Sequence, residues 1–123
     1  MKLANRERYE ARARIAKALS HPTRLMFLDA LRQKGEMCVC DLTELAGADQ
    51  STVSKHLAML RDAGLVGARK DRSMSFYSVK CQCLDGFFGC IESVLGENLK
   101  AQQALVWAQG RTPFSWAHRV KLR

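Results

Sequence analysis

Three patterns in the sequence predict a mainly α-helical fold with one small β-hairpin. Apolar residues recur at helical spacing in several segments, which is typical of amphipathic helices around a common core. Two of these segments, 41–47 and 50–63, are joined by a short connection at Gly47, as in a helix-turn-helix. Two extended runs, 65–70 and 74–79, follow directly and predict a basic hairpin. Together these elements define a winged helix-turn-helix, which we expect to form a homodimer because a small helical chain buries little surface alone.

The first two helices are predicted from their apolar spacing and from the residues at their ends. Residues 5–19 place four apolar side chains on one face between Arg and Glu residues: Tyr9, Ala13, Ala16 and Leu19. Pro22 favours the first position of a second helix, because its fixed φ angle suits that site. Gly35 ends this helix.

The central segment contains a short strand followed by two helices. Residues 36–40, EMCVC, alternate as a strand does, and DLTELAG has the length of two helical turns closed by Gly47. Asp49 is a favourable N-cap for the next helix, which Gly64 ends. The inward face of that helix is Val53, Leu57 and Leu60.

The last helix is predicted from Leu84 to about Trp107, with a broad apolar face that packs on the core or on a second subunit. We expect one winged-helix domain over residues 1–110, with the N- and C-terminal helices forming the dimer interface. Residues 111–123 have no clear period and are predicted to be a flexible basic tail.

Composition favours a polyanionic partner. The chain has 123 residues, with 20 Lys and Arg against 12 Asp and Glu, and a formal net charge of +8. No apolar run is long enough to span a membrane, so a soluble, cytoplasmic protein without a membrane partner is expected. The five cysteines form two C-x-C pairs plus one, which favours metal or redox chemistry over a disulfide framework.

The outward face of the helix over 50–63 is short and polar, which allows it to enter the DNA major groove. Cations of the hairpin can then contact the sugar-phosphate backbone. A solvated helix surface would look similar in isolation, and the adjacent basic hairpin favours DNA. The predicted DNA-binding residues are Gln50, Ser51, Thr52, Ser54, Lys55, His56, Arg61, Arg69, Lys70 and Arg72.

Four motifs of the chain, SHPTRLMFLDAL, CVCDL, QSTVSKHLAMLRDAGLV and a wing ending FYSV, resemble the ArsR/SmtB family of metal-sensing repressors. The resemblance covers roughly residues 10–95, and CVCDL looks like the arsenic-sensing branch. It implies a homodimeric winged-helix repressor that binds double-stranded operator DNA at an imperfect inverted repeat and dissociates when metal binds. As(III) or Sb(III) is the implied inducer, with Cd(II), Pb(II) or Zn(II) as alternatives.

Cys38 and Cys40 are the predicted metal ligands, since soft thiolates bind soft ions. On a regular helix, residues i and i+2 point about 200° apart, whereas in extended backbone they lie on one side and can converge. We therefore expect metal binding to distort the start of the helix that begins near Cys40. In the arsenic-sensing pattern a third Cys often follows three residues later, where this chain has Thr43.

The remaining cysteines are candidates for an extra ligand or a second site: Cys81, Cys83 and Cys90. If the last helix starts near Cys83, Cys83 and Cys90 lie about 10 Å apart along it, so they cannot share an ion within one chain. The last helix contains no His, which argues against the family's other frequent zinc site.

An enzyme is not expected, because neither G-x-G-x-x-G nor G-x-x-x-x-G-K-[ST] occurs. Two alternatives keep the winged helix. One is a repressor that responds to oxidation of its thiols, although a C-x-C disulfide closes a tight ring. The other is a DNA-binding protein with no small-molecule input.

Overall fold

The structure is a computed structural model that describes residues 2–108, so the predicted tail 111–123 lies outside the described residues. The described residues contain five helices and three strands. The helices are α1 (Leu3–Leu19), α2 (Pro22–Lys34), α3 (Val39–Ala46), α4 (Gln50–Asp62) and α5 (Leu84–Ala108). The strands are β1 (Glu36–Cys38), β2 (Val66–Asp71) and β3 (Met74–Val79). Helices plus a small antiparallel sheet confirm the winged helix-turn-helix prediction.

The chain divides into two compact units, Met1–Leu84 and Asp85–Arg123. The first holds α1–α4 and the sheet, and the second holds nearly all of α5. Among the described residues, no helix combines the length and the apolar character needed to cross a membrane.

Local chemistry explains the ends of α2. Pro22 occupies its first turn, and the His21 Nδ1 accepts a hydrogen bond of 3.1 Å from the Thr23 backbone N–H. This bond satisfies one of the N–H groups that a helix start leaves without an intrahelical partner. At the other end, the Gly35 N–H donates to the Leu31 carbonyl, and Gly35 adopts a φ of 86°. The predicted bounds of this helix are confirmed.

Two glycines with positive φ separate the elements that follow. Gly47, at 63°, ends α3 in the left-handed conformation, and its N–H donates to the Thr43 and Glu44 carbonyls. Gly64, at 81°, lies between α4 and β2. Because a side chain is strained in this conformation, both positions favour glycine. They set the tight helix-turn-helix and the entry into the wing.

The sheet is larger than the predicted hairpin. Its strand order is β1–β3–β2, all antiparallel, with Cys38 opposite Phe76. β2 and β3 form the wing and are joined by Arg72 and Ser73, since Asp71 already pairs with Met74. The prediction of a strand over the whole of EMCVC was wrong, because β1 ends at Cys38 and α3 begins at Val39.

The core of the first unit is built mainly from α2, α3 and α4, and Ala18, Met37, Cys38, Leu65 and Val66 are also buried. Val53, Leu57 and Leu60 are fully buried, which confirms the predicted inward face of α4. Their largest fully buried companions are Phe27, Leu28, Leu31, Leu42 and Val66. This packing fixes α4 in the domain and leaves its opposite face available to a partner.

The first and last helices keep apolar side chains exposed in the single chain. On α1, Ala18 is buried, while Tyr9 of the predicted stripe is 55% exposed. On α5, Val94 is 60% exposed, and Ile91 and Leu95 are also exposed. Apolar faces on two helices are typical of interaction surfaces.

Candidate nucleic-acid interface and thiol site

The start of α4 is held by an Asp49 cap, as predicted. The Asp49 Oδ1 accepts hydrogen bonds from the Thr52 backbone N–H at 2.7 Å and the Ser51 hydroxyl at 2.9 Å. The bonds from Thr52 and then Ser51 lower the pKa of Asp49 below its usual value. The first turn of α4 is therefore well defined, with Gln50 exposed at its beginning.

Most of the predicted DNA-binding side chains on α4 are exposed. Six of them are exposed: Gln50, Ser51, Thr52, Ser54, Lys55 and Arg61. At about 100° per residue, Ser51 and Lys55 lie opposite the buried Val53 and Leu57. Small hydroxyl residues dominate the first two turns, so the backbone of α4 can approach a groove closely.

His56 is the exception on α4, because it contacts the domain. Its Nδ1 accepts a hydrogen bond of 3.1 Å from Arg24 Nη1, and its ring lies 4.2 Å from the ring of His21, centroid to centroid. Burial first, then the neighbouring His21 and Arg24, lower the pKa of His56 below 6.5. A DNA contact from His56 stays a prediction, while its observed contacts tie α4 to the α1–α2 junction.

Arg24 extends this connection to the end of α1. Its side chain is buried, with 9% exposure. The Nε donates to the Ala18 carbonyl at 2.6 Å and the Nη2 to the Lys17 carbonyl at 3.1 Å. These carbonyls belong to the last turn of α1, where a helix leaves acceptors unpaired. Arg24 thus joins three helices, and sequence patterns alone did not single it out.

The wing cations occupy two different environments. Arg69 donates to both carboxylate oxygens of Glu36 on β1, Nε to Oε2 at 2.8 Å and Nη2 to Oε1 at 2.6 Å. Its guanidinium also lies 4.8 Å from the centre of the Phe76 ring. The Arg69 hydrogen bond lowers the pKa of Glu36. Arg69 therefore connects β2 to β1 through Glu36. All three wing cations are exposed, and Lys70 and Arg72 lie nearer the tip.

Cys38 and Cys40 lie at the junction of β1 and α3, and the structure joins them by a disulfide, with their Cα atoms 5.3 Å apart. Cys38 is the N-cap of α3, with extended backbone, and Cys40 is its second residue. The extended backbone at Cys38 lets the two sulfurs converge, and a distortion of the helix start on metal binding stays a prediction. Cys38 is buried and Cys40 is exposed.

Two hydrogen bonds organise the first turn of α3. The Cys38 Sγ accepts a hydrogen bond of 3.3 Å from the Asp41 backbone N–H. The Thr43 hydroxyl donates to the Val39 carbonyl at 2.7 Å, one turn earlier. The possible ligand atoms of Cys38, Cys40 and Asp41 all lie within 4.8 Å of one another. Asp41 is a candidate ligand that the spacing argument missed, although it is the next residue of CVCDL.

A cavity of about 190 Å³ opens beside the two cysteines. Gln50, the first residue of α4, lines it together with the wing residues Ser73, Met74 and Ser75. The thiol pair is therefore adjacent to both elements predicted to contact DNA. This three-way adjacency was not evident from the sequence, where most of α3 separates the cysteines from Gln50, and α4 and β2 separate both from Ser73.

The other cysteines lie elsewhere. Cys81 and Cys83 form a second disulfide just before α5, also with Cα atoms 5.3 Å apart. Cys90 is a free, exposed thiol on α5. Each C-x-C pair is therefore joined by its own disulfide.

A three-helix core, a helix-turn-helix with a polar outward face and a basic wing define a winged-helix DNA-binding protein. Residues 21–67 match the family described as "Bacterial regulatory protein, arsR family". The chain is 45% identical over 73 residues to an HTH-type transcriptional regulator of Methanocaldococcus jannaschii, covering 59% of this chain and 82% of the relative. It belongs to the ArsR family of transcriptional repressors.

Two further matches support this assignment. The arsenical resistance operon repressor of Bacillus subtilis is 36% identical over 85 residues, 66% of this chain and 81% of that protein. The homodimeric winged helix-turn-helix DNA-binding domain from Mycobacterium bovis, solved by NMR, matches with a TM-score of 0.70 and 29% identity. That match covers 82% of this chain and 93% of the solved one.

Proposed function

We propose that this protein is a metalloregulated repressor whose operator binding is released when Cys38 and Cys40 coordinate As(III), Sb(III) or another soft ion. Cd(II), Pb(II) and Zn(II) are the alternative inducers. The operator is double-stranded DNA with an imperfect inverted repeat. The observation that carries the proposal is the cavity that the two cysteines share with Gln50 and the wing. An ion at this cavity acts directly beside both DNA-binding elements.

DNA binding rests on the exposed face of α4 and the wing. Polar side chains at the start of α4 can address base edges, while Lys55, Lys70 and Arg72 are exposed cations placed to contact phosphates. The net charge of +8 adds a favourable long-range field. Arg69 is paired with Glu36 through Nε and Nη2, so we expect it to orient the wing in addition to contributing positive charge.

The position of Cys38 favours metal ligation once the thiols are reduced. A thiolate at a helix N-terminus is stabilised by the helix dipole and by the N–H that points at it, here from Asp41. The thiolate is also the form of cysteine that binds metals. Asp41 supplies a nearby carboxylate. The Thr43 hydroxyl is already bonded within α3, so it does not replace a third thiolate.

Release from DNA requires that the ion bind the DNA-incompetent conformation more tightly than the DNA-bound one. A coupling free energy of about 1–3 kcal/mol changes operator affinity about 5–150-fold. The cavity provides a short route for this coupling, because a change at the β1–α3 junction meets Gln50 and Ser73 without intervening elements. We expect the ion to shift the wing relative to α4.

The homodimer rests on the unpaired apolar surface of the first and last helices. The exposed apolar residues of these helices are Leu3, Tyr9, Ile15, Ile91, Val94 and Leu95. Burying them on a second copy removes apolar surface from water, which favours association. Two copies also match the two half-sites of an inverted repeat.

The test is fluorescence anisotropy of labelled operator DNA with reduced protein, titrated with As(III), Sb(III), Cd(II), Pb(II) and Zn(II) in turn. We expect at least one ion to lower operator affinity, and Cys38→Ser and Cys40→Ser to abolish that response. Cys90→Ser is the matched control, since Cys90 is a free thiol on another helix. If no ion weakens binding, or if both variants respond like the parent protein, the metal-sensor proposal is wrong.

Thiol oxidation is the second candidate, and the Cys38–Cys40 disulfide is the observation that favours it. With hydrogen peroxide as oxidant, two thiols and one peroxide give one disulfide and two waters. The same anisotropy assay with peroxide in place of metal separates the candidates. Release by peroxide, lost in Cys38→Ser and restored by reductant, supports the redox repressor. Release by metal alone excludes it.

A further inference from the structure

The cavity beside Cys38 and Cys40 contains a third sulfur-bearing residue, Met74. Met74 is the first residue of β3 and is 43% exposed, so its sulfur is accessible from solvent. It lies on a different element from the two cysteines. Three sulfur side chains from three positions of the chain therefore line one small space.

The sheet register explains why these sulfurs meet. In the antiparallel β1–β3 pair, Cys38 lies opposite Phe76. Residues two apart on a strand share a face, so Met74 projects to the same side as Phe76 and Cys38. β1 ends at Cys38, and Cys40 follows at the start of α3, where it lines the same cavity as Met74. The diagonal between Cys38 and Met74 spans about 7–8 Å between backbones, within the reach of long side chains.

From this placement we infer that Met74 is a third ligand, whose thioether joins the thiolates of Cys38 and Cys40 around a soft monovalent ion of the Cu(I) class. This inference rests on the proposed function, because it assigns a further ligand to the same site. Thioether and thiolate donors together select Cu(I), whereas a thioether is a neutral and weak donor for harder ions. Met is also flexible enough to swing its sulfur into the cavity.

Ligation by Met74 connects the metal site to the wing. Met74 is paired with Asp71 at the closing end of the wing, next to the exposed Arg72. A bond from Met74 to an ion held by Cys38 and Cys40 fixes the wing tip to the start of α3. The two-thiolate site alone anchors the ion to α3, whereas the three-sulfur site also holds the wing.

The test measures Cu(I) affinity of the reduced protein by competition with a chromophoric Cu(I) chelator. Met74→Leu removes the sulfur and keeps a side chain of similar size, and Met59→Leu is the control, since Met59 is exposed on α4 and does not line the cavity. We expect Met74→Leu to weaken Cu(I) binding at least about tenfold, as the loss of a supporting group at a metal site does. Met59→Leu should bind like the parent protein.

A structural readout and a second ion complete the test. X-ray absorption of the Cu(I)-loaded protein should show three sulfur neighbours, and two in Met74→Leu. As(III) affinity should be the same in Met74→Leu and the parent. If Cys38→Ser loses Cu(I) while Met74→Leu matches the parent, or if the parent shows two sulfurs, this inference is wrong and the metal sensor stands. If Cys38→Ser and Cys40→Ser bind every ion like the parent, the proposed function fails.

Discussion

Replacing Arg24 by Met tests the connection between the recognition helix α4 and the end of α1. The variant keeps most of the apolar stem and removes the guanidinium, which donates to the Ala18 and Lys17 carbonyls and to His56. A hydrogen bond to a charged group contributes about 1.5–3 kcal/mol, and carbonyls left by the substitution regain part of this from water. We therefore expect a loss of about 2–4 kcal/mol in the free energy of unfolding.

Urea unfolding followed by circular dichroism measures this loss, with protein concentration held constant because dimerisation adds to stability. Arg14→Met is the matched control, since Arg14 is exposed on α1, and it should change stability by less than about 0.5 kcal/mol. Operator affinity of the folded Arg24→Met variant should also fall, because α4 loses a contact that orients it. Equal stability of the two variants would refute the structural role assigned to Arg24.

Three further predictions concern the recognition helix α4 and the wing. Folding lowers the pKa of His56 below 6.5, so the unfolded chain takes up the proton first as pH falls, and stability should decrease below pH 6.5. Unfolding midpoints measured from pH 8 to 5 should fall with pH, and they should fall less in His56→Gln. Asp49→Ala removes the cap of α4 and should lower the melting temperature, while Asp49→Ser should retain most of it, since both residues cap helices well; equal melting of all three proteins would contradict the capping role. Lys55→Ala and Arg72→Ala should each weaken operator binding, and where a phosphate contact is lost the slope of log affinity against log salt concentration should fall by about 0.9. If neither variant changes the affinity, the DNA binds another face of the protein.

Much of the fold could be predicted from the sequence because its signals are local. Pro22 and Gly35 bound α2, and Asp49 begins α4, through interactions within a few residues of each helix end. The buried stripe of α4 follows from helical spacing alone. The turn of the wing follows from polar residues between two extended runs.

The end of β1 differs between the sequence prediction and the structure. The alternation in EMCVC predicts a strand through Cys40, yet α3 begins at Val39 because Cys38 acts as an N-cap. A five-residue pattern does not distinguish a strand end from a helix start. The pairing of β1 with β3 and the bond from Asp41 settle the boundary, and they place Cys38 and Cys40 close together.

The sequence by itself determined the winged helix, the polar face of α4 and the two thiol pairs, because each is encoded by short-range spacing and side-chain chemistry. The tertiary structure decided what these elements contact. The bond between Arg24 and His56 joins residues 32 positions apart, and the Glu36–Arg69 pair joins residues 33 apart. Such contacts arise when distant segments pack, so no local pattern predicts them. The same packing brings Met74 and Gln50 to the cavity of Cys38 and Cys40.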